Sequence, residues 1–247
     1  MNIDEILSAP IKLSDNNFTS LSETPWAGDT IKNRFKQHLK YKENIGESWE
    51  LSWGPKKPSL ILPSKISLSS LITAKTKHLS LNYKKSLDLL IKLLSSEENL
   101  SIQIHPDYHD KNLAPEECGK HESWLVLDAK PGCGFYLGLK DHITKEKIIK
   151  IIQKKEDLSS LLNFFPAKEG EYYDIPPGTI HAIGKGITVL EPQRILLGKK
   201  GKTFRLWDWN RKYTEEGKLN LKEGKPRTLH IKESLECVKI KNQTPSS

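Results

Sequence analysis

The side chains best suited to chemistry in this 247-residue sequence lie in two short stretches. The first is Gln103-Ile104-His105-Pro106, which closes the run LSIQIH. Residues i and i+2 of a strand project from one face, so Gln103 and His105 point together into a pocket while Ile102 and Ile104 pack behind them. Pro106 cannot continue the ladder and leaves the pair at the strand's mouth. In the second stretch Gly170, Pro176, Gly178 and His181 follow the order G-x5-P-x-G-x-x-H, which reads as strand, tight turn and strand. Gly178 is free to take positive φ in that turn, and His181 opens the next strand. Glu122, just before SWLVLDA, adds a carboxylate. Two neutral imidazoles, a carboxylate and an amide oxygen form a mixed N/O donor set compatible with zinc, and Fe, Mn, Co and Ni stay open on donor chemistry alone. Taken singly, the pair reads better as a hydrogen-bonding Gln103 and a satisfied, semi-buried His105; the second stretch shifts that balance. A rival set of His105, His109 and His121 ranks lower. Pro106 breaks the helix that would align His105 with His109, and His121 faces away from Glu122 if both begin one strand. His38, His78, His142 and His230 stand in charged or helical surroundings and read as surface.

The elements that must hold these residues are mostly short strands. Residues 100–105, 123–129, 133–139, 171–177, 186–191 and 203–209 are rich in β-branched and aromatic side chains and bounded by Gly and Pro, the pattern of a sandwich or jelly roll. Leu and Ile recurring at spacings of three and four predict amphipathic helices over 84–99 and 144–165, and a third over 28–39 with Asp29 or Thr30 as its N-cap. Three prolines in 54–64 predict a wrapping loop. The chain is expected to form one domain over 1–247, with a helical insertion at about 142–165 and a frayed tail at about 240–247.

Composition removes several function classes. No apolar run approaches the ~20 residues of a membrane helix, and the N-terminus shows no secretion signal, so a cytoplasmic protein is expected, with no membrane partner. The net charge of +8 invites a nucleic-acid reading, but only five of the 39 basic residues are arginine and the lysines are interspersed with 31 acids. Nucleic acid is therefore not expected as a partner. Cys118, Cys133 and Cys237 are odd in number and widely spaced, which indicates neither a disulfide framework nor a CxxC knuckle.

Five stretches together resemble a known family: ETPWAGDTIKNRF with NIGESWELS, LSIQIHPD, GKHESWLVLDAKPGCGFYLGL, YYDIPPGTIHAIGKGITVLEPQ, and TFRLWDWNR with LHIKESLE. They occur in order over most of residues 23–236 and are similar to the type I phosphomannose isomerases of the cupin superfamily. The resemblance implies a mainly β, cupin-type jelly-roll sandwich with peripheral helices. It also implies an enzyme that interconverts mannose 6-phosphate and fructose 6-phosphate with one zinc per chain, a hexose phosphate as its small-molecule partner. The family's ligands would fall on Gln103, His105, Glu122 and His181, its essential arginine on Arg205, and its pocket-lining positions on Lys120 and Ser101. A fixed cation at Arg205 would stabilise the enediolate, on a strand where Trp207 and Trp209 are expected to share its face. Lys120 suits either acid–base work or the phosphate. Glu191 is the candidate carboxylate for proton transfer if it faces the pocket, with a structural hydrogen-bonding role reading at least as well, and Trp26 and Trp49 are either a wall for the sugar or core. Departures from the family are the stretch 194–202, RILLGKKGK, where a polar run is usual, and the few residues after LHIKESLE, where family members usually continue into a further β domain. A compact, monomeric member is expected. The alternative is a metal-cupin protein that binds a sugar phosphate without turning it over; an iron(II) dioxygenase is disfavoured by Gln103.

Overall fold

A computed structural model describes residues 10–54, 56–71, 88–196 and 198–240. Ten strands make two sheets. In chain order they are β1 (Glu47–Leu51), β2 (Leu89–Ser95), β3 (Ile102–Ile104), β4 (His121–Ala129), β5 (Gly134–Leu139), β6 (Leu162–Pro166), β7 (Tyr172–Ile175), β8 (His181–Ile183), β9 (Ile187–Arg194) and β10 (Phe204–Trp207). One sheet has the order β6-β5-β8-β3-β10 and the other β7-β4-β9-β2-β1, with every pair antiparallel. Leu94, Trp124, Val126 and Val189 from the second sheet meet Phe135, Leu137 and Ile183 from the first in one buried cluster, so the two sheets pack face to face as the expected sandwich. The opposite face of the first sheet is covered too. There Ile102, Ile104 and Ala182 pack against Ile148 of helix α1 (Lys145–Gln153) and against Ile231 and Leu235 of helix α2 (Ile231–Cys237).

Several expected elements take another form. The segment expected as a helix over 84–99 is strand β2 from Leu89 to Ser95; residues 84–87 lie outside the described part. It runs between β9 and β1 and is buried along most of its length, and a continuous apolar run of that kind has no period to separate strand from helix. The helix expected over 144–165 stops at Gln153. Thr144 caps its start, the Oγ1 accepting from Lys147 N; after it, Asp157 caps a 3-10 turn over Leu158–Leu161 and the chain enters β6. Over 28–39 there is a π turn, Ile31–Phe35, and a 3-10 turn, Gln37–Leu39, in place of a continuous helix; Thr30 stands at the N-cap position but makes no side-chain cap hydrogen bond, and the Asp29 carboxylate accepts from the Asn33 side chain. The expected loop over 54–64 contains strand Leu60–Leu62, which pairs with Lys12–Leu13 and Ile66–Ser67 in a small three-stranded sheet. The tail beyond residue 240 and His78 lie outside the described residues. No helix among those described is long and apolar enough to cross a membrane.

Candidate metal centre

Strand register brings the chemistry together. His181 opens β8 directly opposite Gln103 on β3, and Arg205 on β10 faces Gln103 from the other side, so Arg205, Gln103 and His181 form one row across the first sheet. Across the second sheet Glu122 is the partner of Gln193, and Lys92 is the partner of Glu191. Two backbone contacts lock the sheets' mouths in place. Gly178 takes the expected left-handed turn, at φ +86, and its N–H donates to His105 O at 2.8 Å, tying the turn before His181 to the end of β3. Gly119 lies so close to Pro106 that a Cβ there would run into the backbone of Pro106 and Asp107, and Lys120 N donates to Pro106 O. That close approach aims Glu122 across the sandwich at the two histidines.

His105, Glu122 and His181 are each about 1% exposed, and their donor atoms lie within 4.8 Å of one another. His181 directs Nδ1 at Thr179 O, 2.9 Å away, and His105 directs Nδ1 at Lys202 O, 3.3 Å away. Each ring therefore keeps its proton on Nδ1 and turns an unprotonated Nε2 inward, the arrangement in which imidazole ligates a cation. His105 Nε2 lies 3.0 Å from Glu122 Oε2, and His181 Nε2 lies 3.4 Å from Glu122 Oε1. Burial, then Lys120, pushes the His105 imidazole down to about 3, and burial lowers His181 as well. Burial alone would raise Glu122, but Lys120 and then His105 outweigh it and hold the carboxyl well below the usual range. Three acceptors thus converge without a proton among them, and His105 Nε2 and Glu122 Oε1 have no hydrogen-bond partner among the described residues. A divalent cation fits this cluster. Gln103 completes the ring with its Nε2 3.4 Å from His181 Nε2; offering its oxygen to a metal requires the amide turned over.

A cavity of about 160 Å³ opens beside the cluster, and Trp26, Lys92, Ser101, Gln103, Lys120 and Glu191 are among the residues lining it. Lys120 Nζ sits 3.2 Å from Glu122 Oε2. Ser101 Oγ accepts from Arg205 Nε at 3.3 Å, and Arg205 also donates to Thr228 O. Burial, then Arg227, lowers Arg205 to about 10. Trp26 belongs to the core between the sheets as well as to the cavity wall. Glu191 accepts from Trp124 Nε1 at 3.2 Å and from Gln193, and burial, then Glu122, raises its carboxyl to about 8. The expectation for Trp207 and Trp209 needs correcting. A bulge between Arg205 and Trp207 inserts an extra residue, so Trp207 pairs with Ile102 and packs with the outer cluster rather than sharing the face of Arg205. His230, expected at the surface, is half-buried and accepts from Arg205 N through Nδ1. His109 is exposed, and His121 points outward to Asp174 at 2.8 Å. Sequence reasoning passed over Lys92, Gln193 and Arg227. Gln193 stands two residues from Glu191 on the same strand face, and Lys92 is a lone charge in an apolar run; both signals were available.

A family profile, "Phosphomannose isomerase type I, catalytic domain", matches residues 22–124. The mannose-6-phosphate isomerase of Streptococcus mutans is 32% identical over 228 residues, which are 90% of this chain and 67% of that protein. The chain belongs to the type I phosphomannose isomerase family. It spans about two thirds of the length of that Streptococcus family member. The crystal structure of the family's Bacillus subtilis mannose 6-phosphate isomerase superposes with a TM-score of 0.70 at 28% identity, covering 96% of this chain and 69% of that one. A more distant fold relative, a mannose 6-phosphate isomerase crystallised with zinc and yttrium, reaches 0.58 at 14% identity over 94% and 74% of the two chains. Within the matched stretch of the family profile lie Gln103, His105, Lys120 and Glu122; His181 and Arg205 come from beyond it.

Proposed function

We propose that this chain interconverts mannose 6-phosphate and fructose 6-phosphate through an enediol, using one zinc held by Gln103, His105, Glu122 and His181. The observation that carries the reading is the buried meeting of two imidazole nitrogens and a carboxylate within 4.8 Å, with His105 Nε2 and Glu122 Oε1 left without a hydrogen-bond partner among the described residues. Two imidazoles with oxygen donors match a zinc site that keeps a position open for substrate. When bound, such an ion polarises the sugar's carbonyl and hydroxyl oxygens as a Lewis acid.

The remaining work falls to the chain. Isomerisation moves a proton between C1 and C2, and negative charge develops on the oxygens of the enediol. Arg205, fixed by Ser101 and Thr228, is a cation already in place where that charge appears, so little reorganisation accompanies its formation. Lys120 is tied to Glu122 at the metal end of the cavity, which favours proton traffic at the sugar oxygens over a grip on a distant phosphate. Glu191 keeps its proton at neutrality and closes the wall through Trp124 and Gln193. The test is a coupled assay for fructose 6-phosphate formed from mannose 6-phosphate, with and without a chelator. Turnover that the chelator abolishes and added zinc restores is expected; binding of the sugar phosphate without turnover in the zinc-loaded protein refutes the activity.

A further inference from the structure

The stretch Asp208-Trp209-Asn210-Arg211, directly after β10, holds a charged cluster that the isomerase reading leaves without a task. Asp208 is only 4% exposed. Its carboxylate accepts from Arg227 at two points, Nε at 2.8 Å and Nη2 at 2.7 Å, and from Arg211 at 2.7 Å. Burial alone would raise the Asp208 carboxyl, but Arg227 and then Arg211 outweigh it and hold it below the usual range, so the charge is present at neutrality. A planar fork that meets a carboxylate at two points fixes direction as well as distance.

What this fork fixes is the chain beside Arg205. Strand β10 is the edge of its sheet, and at Arg205 that edge is covered by the segment that follows Arg227. Thr228 O accepts from the Arg205 guanidinium at 3.0 Å, Arg205 N donates to His230 Nδ1 at 3.2 Å, and His230 N donates to Arg205 O at 2.7 Å. Residues 226–230 have no regular secondary structure, so the place of the Thr228 carbonyl depends on anchors at either end. Downstream the anchor is α2, packed on the first sheet; upstream it is Arg227 on Asp208. The turn that presents Asp208 is itself fastened. Trp209 and Asn210 both take left-handed backbone, at φ +57 and +52, which persists only where the surroundings enforce it. Trp209 Nε1 donates to Leu100 O, just before β3, and Asn210 Nδ2 donates to Lys155 O, just after α1, each at 2.8 Å. The Tyr213 ring meets both guanidinium groups of the cluster, at 5.7 Å from Arg211 and 5.5 Å from Arg227.

We infer that Asp208 is a positioning residue for Arg205. Its carboxylate fixes Arg227, and through Arg227 the 228–230 segment that keeps the Arg205 guanidinium in the row with Gln103 and His181. The inference rests on the isomerase reading for the task of Arg205, though not for the clamp that holds it. A cation preset toward a developing oxyanion loses effect when its direction is loosened, so the loss falls on kcat.

The experiment compares zinc-loaded wild type with Asp208→Asn, Asp208→Glu, Arg227→Lys, Arg205→Ala and Asp208→Asn/Arg205→Ala. Arg211→Ala is the control, since it takes the other guanidinium from Asp208 and leaves Arg227 in place. Asp208→Asn is expected to lower kcat for mannose 6-phosphate about ten-fold, with a full equivalent of zinc retained and KM moved by less than about three-fold. Asp208→Glu, which keeps the charge, should recover part of the loss, and Arg227→Lys, which keeps the cation without the fork, should reproduce it in weaker form. In the Arg205→Ala background Asp208→Asn should change kcat by less than about two-fold, because the group it positions is gone. A further drop of about ten-fold there overturns the inference, as does an equal loss in Arg211→Ala or a rise in KM with kcat unchanged. The rate at which phenylglyoxal modifies Arg205, followed by peptide mass spectrometry with exposed Arg34 as internal reference, reads the clamp without turnover. Arg205 is expected to react several-fold faster in Asp208→Asn and Arg227→Lys than in wild type, and an unchanged rate overturns the inference. Faster modification in a protein whose wild type does not isomerise supports the clamp and brings down the proposed activity instead. Should Asp208→Asn not fold, Arg227→Lys carries both readouts.

Discussion

Of the residues around the cavity, His181 and Arg205 separate most cleanly into different roles. His181 meets Glu122 and Gln103 through Nε2, whereas the Arg205 side chain donates to Ser101 Oγ and to Thr228 O. His181→Ala is therefore expected to lose the metal, and Arg205→Ala to keep a full equivalent while kcat drops by about 10²–10³, the usual effect of removing one donor from a developing oxyanion. Metal analysis of the purified variants beside their kinetics checks the division, and equal metal loss in both would refute it. Glu191 allows a prediction about pH. In the metal-free protein its carboxyl is raised from 4.5 to about 8, by burial and then by Glu122. The native state thus holds a proton that the unfolded chain releases, so this group's contribution to stability falls as pH rises from about 4.5 to about 8. His105 and His181 are lowered and pull the other way below their ordinary value of 6.5, so the informative quantity is a difference between proteins. Melting temperatures of chelator-treated wild type and Glu191→Gln should diverge in favour of the variant as pH is raised through that window. A constant difference would show that Glu191 does not titrate there.

Among the elements, helix α1 tests whether the outer layer supports the sandwich independently of the metal cluster. Ile148 is fully buried in the cluster that joins α1 to the back of β3 and β8, on the face away from Gln103 and His181. Ile148→Ala should cost about 2–4 kcal/mol, read by chemical denaturation, with metal content and KM unchanged; a loss of metal would mean that this layer sets the position of the strand ends. The elements were unequally legible in the sequence. The runs bearing Gln103, Glu122 and Arg205 were legible as strands from their β-branched and aromatic content, whereas the three-residue strand His181–Ile183 was not among the expected runs and only the turn before it was legible. Strand β2 was not legible as one, because an inner strand buried on both faces loses its alternation and Leu89–Leu94 then fits a helical period as well. Trp207 was assigned to the wrong face for a different reason. Period-two counting assumes an unbroken ladder, and a bulge leaves no signature in residue type. The placement of Gln103, His105 and His181 escaped both problems, since Gln103 and His105 lie two apart at a strand end and the turn before His181 is specified by Pro176 and Gly178.

For the whole molecule, a net charge of +8 carried mostly by lysine sets a positive background field. A few of those lysines pair with nearby acids at exposed positions, as Lys130 does with Glu97 and Lys154 with Glu156, and such pairs leave little local field. What survives is the unbalanced positive excess, which acts at a distance on a dianionic sugar phosphate and raises its encounter rate with the pocket. That long-range part is screened when the Debye length shrinks from about 10 Å at 0.1 M salt to about 3 Å at 1 M, whereas the buried contacts of Lys120 with Glu122 and of Arg205 with Ser101 are screened far less. Added sodium chloride should therefore raise KM for mannose 6-phosphate several-fold while kcat stays nearly level, and the salt response should persist at a reduced level in Lys199→Ala/Lys200→Ala, which removes two charges out of the excess. Inhibition by uncharged mannose, measured over the same series, should not follow the salt. A KM that stays flat from about 0.05 to 0.5 M salt would show that the surface lysines play no part in capture, and would leave recognition of the phosphate entirely to the groups lining the cavities.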